Sequence, residues 1–375
     1  MLVSPVHSYH VDAGANFFEW AGWKLPAFYT SPADELCRVR TLAGYTEFPV
    51  LNQFVIRGPG AFKTLQKLCS RNLDNCPPGK AVYTLMLDEA GAIADDGILF
   101  RLADDRFIIS VACKNPLLLP RPLNFTELKE PKEWLRPASE AHACIHFLGS
   151  FLISVQGPRS KELLRPVANL DDLTPFSVRE TRIADIPVIV ARTGYSGEVG
   201  FEFLVWPEHA PALWELIVQL GKPHGACPYG IQTTLIIGLE KGYLNSLDCY
   251  PGSTPLELGL AWAVDLEKPD FVGKTAILKR REEGIKTRLV GLELAFDAPT
   301  PTSGDQVVVG DHVFGRVTNA AASPHLRRTL ARAWLPLDKA VPDSEVEVLT
   351  GKVLSRARIS RRYCWYDPEG IRVRA

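Results

Sequence analysis

Asp95 and Asp96 stand side by side in AIADDGILF, and Glu202 interrupts the apolar run GFEFLVW just after Gly194, Gly197 and Gly200, which are spaced by three around Tyr195. These residue types suggest two kinds of chemistry. A carboxylate among apolar neighbours has its pKa pushed upward by lost hydration, which suits it to hold or pass a proton. A carboxylate also accepts two hydrogen bonds from the paired N–H groups of an amino-heterocycle, as it does from guanidinium, while a tyrosine offers a stacking face. Strand alternation sends Asp95 and Asp96 to opposite faces, one expected to reach water and the other partly buried, unless both belong to a turn at the strand's start. It sets Phe201 and Phe203 on one face and Glu202 on the other, toward solvent or toward a ligand. The glycines then either turn the chain or lie close against a flat object.

Other candidates carry less. HACIH puts His142, Cys144 and His146 on one strand face. Zinc would need a fourth ligand, none is near in sequence, and the apolar neighbours favour a core strand, so no metal is expected. GANFFEWAGWKLPAFYTS gathers six aromatics around Gly22 and Pro26, a pattern typical of a core plug. The sequence holds no GxGxxG, P-loop, HExxH or GxSxG, so the nucleotide-binding and hydrolase classes lose their usual support.

The elements that must position these residues alternate between strand and helix. FVIRGPGAFKTLQKL (54–68) and LISVQGPRSKELLRP (152–166) place the same Gly-Pro 99 residues apart, and each reads strand, turn, helix. Two related βα subdomains follow from that repeat. Each is succeeded by valine-, isoleucine- and aromatic-rich runs broken by glycine turns, residues 81–113 and 186–206, the pattern of antiparallel hairpins. Helical spacing recurs at 209–222 and 275–284, the latter ending in basic residues and a glycine. From about residue 287 short strands spaced by turn residues predict a small β-barrel or sandwich. The four prolines of 117–137 predict a surface connection or lid.

A chain of 375 residues accommodates two or three domains. With 42 basic against 43 acidic residues, a net charge of -1 supplies no field for nucleic acid or an anionic membrane. Apolar runs are far shorter than a membrane helix requires, so no membrane partner is expected. Eight scattered cysteines without a CxxC pair, and an N-terminus without a charged head and apolar run, predict free thiols in the cytoplasm.

Taken together and in order, GANFFEWAGWKLPAFYTS, DEAGAIADDGILF, RTGYSGEVGFEF, GLEKGYLNSLDCYPGSTPLELGLAW, FVGKTAI and GRVTNAAASPHLRRTLA resemble the folate-dependent aminomethyltransferase family, the T protein of the glycine cleavage system. The resemblance implies an α+β fold: a three-domain cloverleaf with two related α/β subdomains built on antiparallel sheets and a C-terminal β-barrel-like domain. Its expected divisions are 1–52 with 140–275 for a discontinuous central folate-binding domain, 53–139 for the second, and 285–375 for the third. The implied cofactor is tetrahydrofolate. Glu202 matches the acid on the pterin's amino edge, Tyr195 the aromatic against the pterin, and Asp96 the catalytic acid near the reacting nitrogens. The resemblance also places Tyr83 and Trp262 on the cofactor, and Tyr29, Leu51 and Asp248 around the one-carbon donor. On this reading the glycines clear space for the flat ring. Holding donor and folate nitrogen in contact would supply roughly 7 to 11 kcal/mol of acceleration without a covalent enzyme intermediate.

The departures bear on the donor. Where the family has a GARDxLRLEAG-like helix start, this chain has GIQTTLIIGLEKG, so both arginines and the aspartate become Thr234, Gly238 and Leu235. The pterin or the folate tail loses a charged partner, for which Arg361 and Arg362 are the candidate replacements. The family's FDVSHMG becomes TEFPVLNQ (46–53), without its histidine and serine. The LEKGY form is similar to folate domains of dimethylglycine and sarcosine dehydrogenases and related demethylases. The expected function is therefore tetrahydrofolate-dependent transfer of a methyl or methylene group to N5 from a small N-, O- or S-methylated donor. The alternatives are a true glycine-cleavage aminomethyltransferase with an aminomethyl-lipoyl carrier protein as partner, a non-catalytic folate-binding protein, or a scaffold using the fold without folate.

Overall fold

The computed structural model describes residues 1–20, 22–111, 142–310, 312–362 and 364–375; the proline-bearing 117–137 segment lies outside them. The first body is a six-stranded sheet in the spatial order Val178–Ile183, Ile186–Ala191, Gly200–Val205, Phe151–Gln156, Gly44–Glu47, Cys227–Pro228. All neighbours are antiparallel except the last pair. Period-two alternation divides its faces. Tyr45, Ile153, Val155, Phe201 and Phe203 enter a core covered by helices Ser160–Leu164 and Ala210–Gly221. Each phenylalanine, fully buried, contributes about 1.5–3 kcal/mol. The opposite face carries Thr46, Ser154, Gln156 and Glu202, with Ser154 directly across from both Thr46 and Glu202.

The second body is a five-stranded antiparallel sheet, Lys80–Leu87, Ile93–Ala103, Arg106–Val111, Asn52–Arg57, Cys144–Phe147, packed through Phe54, Ile56, Phe107 and Ile109 on helix Ala61–Leu68. Both Gly-Pro units fold as strand, turn and helix, and in both the glycine has positive φ, +102° at Gly58 and +121° at Gly157. A Cβ at either would lie 2.5–2.7 Å from a backbone carbonyl oxygen, so the shared glycine is set by conformation and by space.

Cys144–Phe147 pairs with Asn52–Arg57 in this second sheet, so the expected return to the first body at residue 140 falls one strand early. His142, Cys144 and His146 alternate outward there and are exposed, a correction to their assignment to a core strand. No cluster of three or more metal-ligating side chains occurs among the described residues.

The third body is a closed six-stranded barrel, in the order Thr287–Leu294, Arg328–Pro336, His312–Ser323, Gln306–Val309, Glu345–Thr350, Val353–Ile359. Closure removes its free edges. A further core joins the bodies: Leu85 and Ile93 of the second sheet meet Leu258, Leu260 and Phe271, and these meet Leu289 and Trp334 of the barrel. The mixed α/β bodies with antiparallel sheets and the terminal barrel agree with the expected fold.

Candidate functional site

Tyr83 and Asp96 lie at the edge of this joining core. In the register of their hairpin Asp96 is opposite Leu85, which puts it on the same face as Tyr83, two residues earlier. The Tyr83 hydroxyl donates to Asp96 Oδ2 at 2.6 Å. Burial first, and then the neighbouring Asp96 carboxylate, raise the Tyr83 pKa well above the phenol range, so the hydroxyl keeps its proton at neutral pH. Asp95, opposite Met86, faces the other way and accepts the Asp96 backbone N–H. Both acids are buried, a correction to the expectation that one reaches water. Alternation separated their directions, but both faces of this strand are covered.

Trp262 stacks on Tyr83 with ring centroids 5.6 Å apart and stays 60% exposed, so its outer face is open. The Trp262 carbonyl accepts from Arg71, fixing the short Ala261–Ala263 turn. Tyr195 is close enough to Tyr83 to help raise its pKa. Its hydroxyl donates to the Leu244 carbonyl at 3.1 Å and its ring lies 5.0 Å from that of Tyr243. The departure at Gly238 acquires a cause here: a Cβ on Gly238 would stand 2.4 Å from the Tyr195 ring, so this tyrosine occupies the space an arginine's base would need.

Glu202 is buried and accepts from the Thr193 hydroxyl at 2.5 Å. Desolvation raises its pKa, opposed by that hydrogen bond. The solvent-facing alternative for Glu202 is thereby removed. The glycines do not clear room for a flat ring, which corrects that expectation. A Cβ at Gly194 or Gly200 would fall 2.1–2.4 Å from the Gln156 amide, and one at Gly197 would fall 2.6 Å from the Lys241 stem. The bare backbone serves two of the protein's own side chains.

The expected donor residues have different surroundings. Asp248 is wholly buried and is corrected to a structural link: Oδ2 pairs with Arg332 of the barrel and accepts the Asn245 N–H, while Oδ1 accepts from Thr318 and Asn319. No face of it remains for a substrate. Half-buried Tyr29 bonds through its hydroxyl to His10 Nδ1 at 2.8 Å, and His10 Nε2 stands 3.0 Å from Glu47 Oε1. Leu51 is half-buried, its backbone N–H on the Phe48 carbonyl. The two departures from the family converge: Pro49 and Val50 line, with Ile231 and Thr234, a small recess whose free volume of about 20 Å³ is room for about one water, well short of a ligand pocket. Arg361 and Arg362 pair with Asp343 and Glu369 on the exterior.

Sequence reasoning missed Gln156, Thr193 and a buried network in which Arg40 joins Glu198 (3.1 Å) and Glu240 (2.7 Å), with Tyr366 and Arg372 also on Glu198. Gln156 left a legible signal, a polar residue that ends a strand with only Ser154 otherwise polar. Arg40 left none, because its partners are about 160 and 200 residues away.

The donor set fits a pterin: a buried carboxylate capable of accepting paired N–H groups, a second carboxylate held by a protonated phenol, and an exposed indole beside it. Comparison with known proteins gives the family. Residues 6–268 match the GCVT N-terminal domain and residues 287–367 the glycine cleavage T-protein C-terminal barrel domain. The chain is 32% identical to an aminomethyltransferase of Symbiobacterium thermophilum over 95% of each chain. It is 34% identical to one of Streptomyces coelicolor over 90% of each. The crystal structure of the glycine cleavage system aminomethyltransferase T from Bartonella henselae superposes with a TM-score of 0.85, at 25% identity, over 97% of this chain and 98% of that one. With both of its domain types matched in order along the chain, this protein belongs to the glycine cleavage T-protein family.

Proposed function

We propose that the protein is a tetrahydrofolate-dependent one-carbon transferase, and that its donor is the aminomethyl group of a lipoyl carrier protein. The observation that carries the folate part is the Tyr83–Asp96 pair beneath the exposed Trp262. Tetrahydrofolate, when bound, supplies a nucleophilic N5 that accepts the one-carbon unit. The protein's contribution is positional and electrostatic. Tyr83, protonated, donates to Asp96 and fixes its carboxylate, which can take up a proton or steady positive charge. Thr193 orients Glu202 for an N–H edge. Trp262, stacked on Tyr83, offers its open face to a flat ring.

The carrier reading is favoured over the small methylated donor by relatives named aminomethyltransferase that match nearly end to end. The second reading, a small methylated donor, rests on the departures themselves, since Pro49, Val50 and Thr234 meet at one small recess. Incubating the purified protein with tetrahydrofolate and either aminomethyl-lipoyl carrier or a panel of N-methyl amines decides between them. Release of ammonia with 5,10-methylenetetrahydrofolate from the carrier supports the first. One-carbon transfer only from an amine replaces it with the second. No folate product from any donor, together with a flat tetrahydrofolate titration of tryptophan fluorescence, refutes both.

A further inference from the structure

We infer that Gln156 is a positioning residue for folate, acting through residues 192–199 rather than by touching the ligand; the inference rests on the folate reading above. Gln156 closes strand Phe151–Gln156 and lies opposite Gly200 on one side and Gly44 on the other. It is completely buried, and every polar atom of its amide is used. Nε2 donates to Ser154 Oγ at 2.9 Å and to the Thr193 carbonyl at 3.2 Å, while Oε1 accepts from Ser196 Oγ at 2.5 Å. The side chain therefore holds the residues immediately before and after the Gly194–Tyr195 pair without holding Tyr195 itself.

Two ligand-facing groups depend on that hold. The Thr193 carbonyl is gripped by Gln156 and the Thr193 hydroxyl orients Glu202, so a shift of this residue moves a hydroxyl donor of the carboxylate. The Tyr195 direction follows from where Thr193 and Ser196 are pinned, together with its own hydroxyl on the Leu244 carbonyl. Space enforces the same arrangement, because the amide is sandwiched between Gly194 and Gly200, neither of which tolerates a Cβ. Other contacts also hold the segment, Arg192 through its backbone with Phe176 and Ser177 before Tyr195, and Arg40 on the Ser196 carbonyl and on Glu198 after it; Gln156 is the side chain that grips both flanks.

Only an amide meets these demands, since the site needs a donor at one end and an acceptor at the other. Gln156→Glu keeps the shape but turns the Thr193 carbonyl toward a second acceptor. Expected results are a tetrahydrofolate Kd raised at least tenfold and faster amide hydrogen exchange confined to 192–199, with the barrel unchanged. The defect should shrink toward pH 5, where a protonated carboxyl regains a donor. A merely structural role would instead spread the exchange change beyond 192–199. Gly194→Ala, which presses on the amide from the other side, should show the same loss of affinity and the same local exchange, and it decides the matter if Gln156→Glu does not fold. Folded variants with affinity within twofold of the parent and unaltered exchange at 192–199 overturn the inference. A parent protein that binds no tetrahydrofolate counts against the folate reading instead. The exchange measurement, made without ligand, still tests the role of Gln156.

Discussion

Replacing Gly238 by alanine sets two effects against each other whose magnitudes decide the sign. Gly238 sits inside helix Ile231–Lys241, where glycine is unfavourable relative to alanine by roughly 0.5–1 kcal/mol, so at an open position the change would stabilise. Here the new Cβ would lie 2.4, 2.6 and 2.8 Å from Cε1, Oη and Cζ of Tyr195. Ordinary carbon contacts begin near 3.5 Å, so the ring must retreat by about 1 Å. Tyr243 stands 5.0 Å away, centroid to centroid, and the Tyr195 hydroxyl is tied to Leu244, which restricts the retreat. Overpacking costs typically 1–3 kcal/mol and the strained hydrogen bond about 0.5–1.5 kcal/mol more, so destabilisation of about 1–3 kcal/mol should remain after the helix gain. Urea unfolding followed by tryptophan fluorescence measures it, and tetrahydrofolate titration of the same variant should show weakened binding. A Gly238→Ala protein more stable than its parent would show that Tyr195 is free to move and that its packing does not explain the missing arginine.

Asp96→Asn keeps a partner for Tyr83 but loses the charge; turnover should fall about 10²- to 10⁴-fold while tetrahydrofolate affinity stays within about threefold, and unchanged turnover would remove Asp96 from the chemistry. Asp248→Asn leaves the buried Arg332 guanidinium without its counter-charge and should cost about 3–5 kcal/mol in chemical unfolding, with barrel amides exchanging faster; a loss below about 1 kcal/mol contradicts the assigned link. Lys268 is buried on the Cys69 and Arg71 carbonyls, and desolvation lowers its pKa to about 8 from 10.5. The folded state then binds fewer protons than the unfolded one between those values, so this residue makes stability rise with pH across pH 8–10.5, by at most about 1.4 kcal/mol per unit. Lys268→Met should flatten that window in unfolding midpoints measured against pH, and an unaltered slope would show that the lysine stays charged.

Local sequence determined the elements. Period-two alternation in FVIRG, ISVQG and GFEFLVW, the Gly-Pro breaks and the spacing of HAPALWELIVQLGK predict strands, turns and helices that the fold contains, because backbone conformation and the choice of face are settled within a few residues. The short strands after residue 287 likewise announce a separate β body, and residues 81–113 are legible as the hairpins that carry Tyr83 and Asp96. What the glycines at 194, 197 and 200 were for was not legible. Their pattern specifies bare backbone, but only the sheet register brings Gln156 against two of them, and only helix packing brings Lys241 against the third. The same holds for Asp248, which the resemblance places at the donor until the barrel delivers Arg332 from 84 residues away. An isolated carboxylate or glycine states a need for a partner or for space. Which chain segment meets it depends on contacts distant in sequence, and those exist only once the three bodies have packed.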